Sequence, residues 1–555
     1  MSALERRIQS LLIFCVVVMT LVVTPWINLD PINLPKFLVL VVCGLALLGN
    51  LAPSVKRLVA SEAKVLVVAV LVFVVGLLLS FFVSGAGVLP QAYGAYGRNT
   101  GLLTYLSLVV MLLGVVFVSN LGFVRKLIWA LIATGMVNAV YGLVQWADLD
   151  PVDWSNPYNP IVGTLGNPNF TSSHLGIAGL ASLAILLGRG TSLVVRVVLF
   201  VNIGLSLFVI SRSDSSQGLL VFALGATVVL YFKFVDGLKV SFIKYMYWSV
   251  TSGLGVVGVL GILNKGPLAS YLYQDSVTYR GDYWRAGWKM TLDNPLFGVG
   301  LDSYGDWYRF SRTEAAALRR GPDVTSNSAH NVFLDISSNG GFFLLIAYLL
   351  IIGLVIRSAV RVLRKPGGFD AVGVGLVNAW LAYLVQSIIS INQLGLAIWG
   401  WVLGGAIIGY DLYKDRPDVP RAKRRAGKRP EQVPASVVIT GALGLVMGFV
   451  VSIWPVTQDI SFRDALESGD ALKIESATDK FPGSGYYYIY GAQILQENKL
   501  EDKALELAKK AIEINPRDFN AWKLLAANPK ISESERAAAI AKMKELDPFN
   551  NTLGD

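Results

Sequence analysis

Apolar runs of about 17–25 residues, each long enough to cross a bilayer core, recur along the first 455 residues and are separated by short polar segments. They predict thirteen transmembrane helices, at roughly 9–25, 37–52, 65–83, 102–119, 125–146, 171–188, 193–210, 217–232, 246–264, 331–356, 372–389, 394–412 and 435–454. The first run, Leu11 to Thr24, follows Arg6 and Arg7 as in a signal peptide. No A-x-A-like cleavage site comes after it, and Pro25-Trp26 suits an exit at the membrane interface, so it counts as the first span.

Lys and Arg gather in alternate connections. Lys56/Arg57/Lys64, Arg125/Lys126, Arg189, Lys233/Lys239/Lys244, Arg357/Arg361/Arg364/Lys365 and the run Arg421 to Arg429 all fall on one side if the N-terminus is cytoplasmic. That is the positive-inside pattern, and an odd number of spans places the C-terminal end outside the cytoplasm. The opposite connections are 26–36, 84–101, 147–170, 211–216, 265–330 and 390–393. The chain divides accordingly into an N-terminal bundle (1–264), a large extracytoplasmic loop (265–330), further spans (331–412), a Pro-rich basic cytoplasmic linker near anionic lipid (413–434), a last span (435–455) and an extracytoplasmic domain (456–555). The fold class is an all-α polytopic membrane protein with a small C-terminal α-helical repeat domain.

Composition narrows the chemistry. Hydrophobic residues make up 54% of the chain and charged ones 15%, where a soluble protein carries about a quarter. The net charge of +10 follows from the basic cytoplasmic loops and needs no nucleic-acid partner. Cys15 and Cys43 both lie in predicted spans, which excludes a disulfide framework and a cysteine metal site. His174 and His330 are the only histidines, too few for a multi-histidine metal centre. Neither a metal nor a cofactor is expected.

In the C-terminal domain, Pro482, Pro516 and Pro548 are spaced by 34 and 32 residues, and "DKALELAKKAIEINPRD" places Ala504 and Ala511 seven apart before Pro516. From about 458 to 550 this resembles tetratricopeptide repeats, whose period is about 34 residues. Such a domain serves as a scaffold for a protein partner or peptide, or as a helical cap bracing the outer loop.

Ionisable residues avoid the span centres, where each would cost about 2.5–3.5 kcal/mol, and collect at the outer face. Arg212, in "ISRSDSSQG", stands at the mouth of two spans joined by a very short loop; it suits phosphate oxygens, or snorkels to the interface. In "YRGDYWRAGWKMTLDNPLFGVGLDSY" (279–304), Arg280, Trp284 and Trp288 share a helix face at i, i+4 and i+8, with Arg285 and Lys289 on the next stripe. Rings beside arginines fit a sugar pyrophosphate; the bland alternative is an amphipathic helix lying on the membrane. His330 in "SNSAHNVFLDISSNGG" is placed for proton transfer, or is a polar cap, with Asn331 and Asp335 as residues that could orient it. His174 after "GTLGNPNF" reads as structural, and Arg98 in "YGRNTG" as reaching a phosphate or a lipid headgroup.

Taken in order, "YGRNTGLLTYL" (96–106), "GTLGNPNFTSSHL" (163–175), "SRSDSSQG" (211–218), the 279–304 segment and "SAHNVFLDISSNGG" (328–341) resemble the O-antigen ligase/polymerase superfamily over most of residues 90–410. The resemblance implies a GT-C-like fold and a metal-independent membrane glycosyltransferase of cell-envelope polysaccharide biosynthesis. Such an enzyme takes a glycan from undecaprenyl pyrophosphate to an acceptor hydroxyl at the outer face of the cytoplasmic membrane. It implies catalytic roles for Arg212 and Arg280 on the pyrophosphate and for His330 on the acceptor. Substrate-binding roles follow for Arg98, Arg285, Trp284, Trp288 and Asn331. The acceptor, whether lipid, glycan or protein, stays open between a ligase, a polymerase and a protein O-oligosaccharyltransferase. A lipid-oligosaccharide flippase is the competing class, and a non-catalytic membrane anchor for the repeats is a third reading. Against the flippase stand the odd span count and the lack of charges paired within spans.

Overall fold

The computed structural model describes residues 2–54, 63–154, 159–365, 367–413 and 433–553. The described residues are helical and irregular, without strands. Eleven helices among them are long and apolar enough to cross a membrane: α2 (Asn33–Leu51), α3 (Lys64–Val83), α6 (Leu121–Trp146), α7 (Pro168–Leu186), α8 (Leu193–Arg212), α9 (Ser216–Leu230, continued by a π turn to Val235), α10 (Ser241–Ile262), α15 (Val332–Arg364), α16 (Ala371–Ile389), α17 (Leu394–Tyr413) and α18 (Ala435–Ser468). The remaining two expected spans coincide with α1 (Ala3–Leu21), whose first turns carry Glu5, Arg6 and Arg7, and the shorter apolar α5 (Leu102–Val118). The short helices are α4 (Val88–Tyr93), α11 (Ala269–Leu272), α12 (Asp275–Asp293), α13 (Tyr304–Ser311) and α14 (Glu314–Arg320). Most of the expected basic linker, 414–432, lies outside the described residues, as do Lys56 and Arg57. The chain is a multi-pass membrane protein.

α17 is buried along nearly all its length and forms the axis of the bundle, whereas α10 is exposed along nearly all of its own, as a lipid-facing helix is. The last span is held to the bundle by small residues. A side chain at Gly444 would overlap the Leu45 carbonyl, and one at Gly49 would overlap that of Thr440, so α2 and α18 cross with their backbones in contact.

One helix is broken on purpose. Inside α15, Gly341 has φ +68°, and the turns on either side lose their regular ladder. The segment "DNPLFGVG" fills the break: Val299 N donates to the Ser338 carbonyl at 2.9 Å, Gly300 N to Asn339 at 3.1 Å, and Phe342 N to the Pro295 carbonyl at 2.7 Å. Ser80 Oγ on α3 donates to the same Asn339 carbonyl at 2.8 Å. Interrupted backbone in a transmembrane helix needs such partners, because lipid offers none. Only glycine fits at 341, since a Cβ there would strike the Leu296 carbonyl.

α18 runs through the expected division at 455/456, past Pro455, and carries the chain into the C-terminal helices α19 (Ala471–Thr478), α20 (Gly485–Glu497), α21 (Glu501–Ile514), α22 (Phe519–Ala527) and α23 (Glu533–Leu546). α20 and α21 form a hairpin whose core is Leu495, Leu507 and the small Ala492, Ala504 and Ala511. Two buried carboxylates bolt this domain down. Asp459 accepts from Asn28 Nδ2 (3.0 Å), Leu29 N (2.6 Å), Tyr96 Oη (3.1 Å) and Tyr487 Oη (2.7 Å). Asp547 accepts from Arg309 (2.9 Å) and, with both oxygens, from Arg312 (2.7 Å each). The segments 22–32, 84–101 and 265–331 therefore share one end of the bundle with the C-terminal domain.

Candidate functional site

The site forms where α12, the loop 321–331 and the start of α15 meet. Asn331 caps α15, its side-chain oxygen accepting from Phe333 N (3.0 Å) and Leu334 N (3.2 Å). The residue before it, His330, is held at φ +51°, a conformation that costs a non-glycine residue about 1–3 kcal/mol unless its surroundings enforce it. Asp335, buried one turn into α15, enforces it. Its oxygens accept from Ser328 Oγ and Ala329 N, both at 2.7 Å, and Ser328 Oγ in turn accepts from His330 N at 3.0 Å. Asp335 thus orients the backbone of the turn, and Asn331 caps the helix behind it.

The His330 ring stacks on Tyr283 of α12, centroids 5.2 Å apart. Tyr283 is itself fixed: its carbonyl accepts from Tyr304 Oη at 2.7 Å, and its hydroxyl accepts from Arg320, whose guanidinium lies 4.2 Å over the Tyr279 ring. Burial, reinforced by the charges of Arg280, Arg98 and Arg320, pulls the His330 imidazole down to about 3, so the ring is neutral at physiological pH. Arg280 stands three residues before Tyr283 on the same helix; burial holds its guanidinium below the ordinary range, and Nη1 donates to Ser276 Oγ at 3.2 Å. Arg280 Nε and Trp284 Nε1, one helical turn apart, are both buried without an acceptor among the described residues.

Arg98 lies behind the turn. Nε pairs with Asp302 at 3.2 Å, Nη2 approaches Asp335 at 3.9 Å and Nη1 donates to the Asn327 carbonyl at 2.8 Å. Burial opposes its charge, and the Asp302 and Asp335 carboxylates more than offset that, leaving it above its ordinary value. Arg98 is therefore buried behind the site and fully committed to the protein, not free to reach a lipid headgroup.

The other sequence candidates lie farther out. Arg285 is exposed and pairs with Asp282 at 2.9 Å, and Trp288 is exposed beside Phe342 at 6.0 Å between centroids. Arg212 is exposed at the mouth of α8 and α9, packed over Trp146 (5.6 Å) and Phe208 (5.3 Å). Its backbone carbonyl accepts from Asn159 Nδ2 at 3.1 Å, and Ser215 beside it donates to Asn169 Oδ1 at 2.8 Å, tying this mouth to the 163–170 turn. The structure thus groups Arg280 and His330 with Arg98 and Arg320 and gives Arg212 an aromatic cradle of its own. His174 is buried inside the bundle with its ring 6.4 Å from Trp399.

Tyr283, Arg320, Asp302 and Ser328 were not singled out by sequence. Tyr283, Asp302 and Ser328 sit inside quoted motifs, but nothing in the order of residues says that the tyrosine ring would meet the histidine. Among the described residues no three His, Cys, Asp or Glu side chains gather as a metal ion would require.

Fold and site together define a multi-pass helical membrane protein with a polar, arginine-rich site built on a long loop at one end. Residues 162–349 match the sequence model of the family described as O-antigen ligase, a segment running from just before α7 to the middle of α15 and containing Arg212, Arg280 and His330. That match supports the O-antigen ligase superfamily, whose members are membrane glycosyltransferase-like ligases and polymerases that handle glycans. No curated protein matches the chain.

Proposed function

We propose that the protein transfers a glycan from undecaprenyl pyrophosphate to an acceptor hydroxyl at the outer face of the cytoplasmic membrane. The observation that carries this reading is the pair of buried donors, Arg280 Nε and Trp284 Nε1, left without acceptors one turn from the ring that holds His330. A buried donor without a partner costs about 1–3 kcal/mol, which an incoming phosphate oxygen would recover. The outward orientation is supported by the Lys and Arg clusters at the opposite end of the spans.

As the anomeric bond breaks, negative charge grows on the lipid pyrophosphate. Arg280, with Arg320 beside it, is placed to stabilise that charge without reorganisation. Arg212, Arg285 and Trp288 fall to the outer edge, toward the lipid and the first sugars, while Trp284 stays with Arg280 at the phosphate. Neutral His330 accepts the proton of the acceptor hydroxyl as that oxygen attacks the anomeric carbon. Burial and three arginine charges depress the imidazole; a bound dianion offsets those charges and makes the ring more basic. Proton abstraction is thereby coupled to the presence of donor.

The test is reconstitution of the purified protein with a lipid-pyrophosphate glycan and an acceptor. Release of lipid pyrophosphate together with a new glycosidic bond supports transfer. Passage of intact donor across the bilayer, with no bond formed, assigns the protein to the transporters. Whether the glycan ends on a lipid, on a growing chain or on a protein then identifies it as a ligase, a polymerase or an O-oligosaccharyltransferase.

A further inference from the structure

A cavity of about 510 Å³ opens between the membrane-side loops and the C-terminal helices, within the size range of about 300–1,000 Å³ typical of ligand clefts. One wall comes from Tyr96, Asp302, Asp306 and Asn327, and the other from α20 to α22. Tyr96 stacks on Tyr486 across the gap, centroids 3.9 Å apart and planes 10° apart, and Tyr490 tilts against Tyr486 at 6.0 Å. Amide side chains and carboxylates alternate with these rings, Gln493 and Asn520 among them exposed to the cavity.

The charge is the discriminating feature. Asp302, Asp306 and Asp518 line this cleft and, among its described lining residues, no Lys, Arg or His does. The cleft lining therefore offers a phosphate or an acidic polymer no cationic donor. Tyrosine faces, amides and carboxylates are the groups that receive the apolar face and the hydroxyls of an uncharged sugar. Burial and the facing Asp518 push Asp306 up to about 7, so near neutrality it both accepts from and donates to a hydroxyl.

Position adds to the argument. Asp302 and Asn327 are shared with the site: they line the cleft and also hold Arg98, whose charge acts on His330. The molecule thus keeps an arginine-rich cluster and an acidic, aromatic cleft on the two sides of a single layer of residues.

We infer that this cleft holds an uncharged stretch of glycan chain, with the C-terminal helices supplying one wall. The inference deepens the transfer reading and rests on it for the consequence of binding, though not for binding itself. The glycan belongs either to the acceptor or to the distal part of the donor.

The experiment uses the full-length protein in detergent on an array of neutral oligosaccharides, with heparin as the anionic comparator. The wild type is expected to bind at least one neutral glycan in preference to heparin. Gly485, at the cleft wall, has open space where its side chain would project. Gly485→Trp is therefore expected to block binding while leaving thermal unfolding unchanged. Should that variant misfold, the exposed pair Gln493→Ala/Asn520→Ala is expected to weaken binding at least tenfold. His330→Ala binds as the wild type does. Absence of neutral-glycan binding, preference for heparin, calcium binding in place of glycan, or binding unaffected by the variants overturns the inference. In turnover assays, a raised KM for acceptor with the donor KM unchanged identifies the acceptor chain, and the reverse identifies the donor. A wild type that binds glycan but transfers none would sink the transferase reading and leave the cleft standing.

Discussion

The imidazole of His330 and the phenol ring of Tyr283 lie nearly parallel, their planes 27° apart. Because Tyr283 and Arg280 are three residues apart on α12, that stack fixes the histidine relative to the arginine through one rigid helix. Tyr283 is a positioning residue in this arrangement. Tyr283→Ala is expected to lower kcat about 2–10-fold with little change in donor KM, the stack being worth about 0.5–1.5 kcal/mol beyond buried area. Tyr283→Phe, which keeps the ring, should restore most of the rate. Equal loss in both variants would point to the hydroxyl and its Arg320 partner instead.

His330→Ala should remove about 10²–10⁴-fold of the transfer rate, the range of a positioned general base. Arg280→Ala should remove about 10²–10³-fold, the range of one donor to a developing charge. Lipid pyrophosphate release reports both, and both variants should insert in the membrane normally. Full activity in either would contradict the role assigned to it.

The pH profile separates this histidine from an ordinary one. A group held down to about 3 stays neutral as the pH falls through 6.5, so kcat/KM is expected to remain level from pH 8 to pH 5. An acid limb near 6.5 in the wild type would show that the ring titrates normally. Arg320→Gln removes one of the charges that depress the ring and should move the acid limb upward.

Asp547 pairs with Arg309 and Arg312, and Arg312 is fully buried. Asp547→Ala leaves two guanidinium groups uncompensated, a loss of about 3–5 kcal/mol for a broken buried pair. Limited proteolysis should then cut between the loop and the C-terminal helices at protease levels the wild type resists. Wild-type resistance would mean that the Asp459 network alone holds the domain.

Gly341 is occupied by backbone from the 293–300 segment. Gly341→Ala adds a left-handed penalty of about 1–2 kcal/mol to a direct overlap with the Leu296 carbonyl. A lower thermal midpoint in detergent is expected, together with reduced transfer, because the same break seats the loop that follows α12 against α15. An unchanged midpoint would show that the helix can close without it.

The membrane-spanning helices were legible from residue order because each one is decided locally: about twenty apolar residues repay transfer into lipid and satisfy their own backbone hydrogen bonds. The caps are equally local, as with Asn167 before Pro168 and Asn331 before α15, although neither cap was expected from residue order. His330 and Arg280 were legible too, as the only histidine in the outer loops and an arginine on an aromatic helix face. What residue order did not reveal are relationships across long separations. Asp302 reaches back to Arg98, Asp459 reaches Asn28 and Leu29, Asp547 reaches Arg312, and the glycine break in α15 takes its partners from a loop some forty residues earlier. The choice of Arg320 over Arg212 as neighbour of the Tyr283–His330 stack is of the same kind. Hydropathy is a property of each segment alone, whereas the partner of a buried charge is set by which loops the packed bundle brings to the same end.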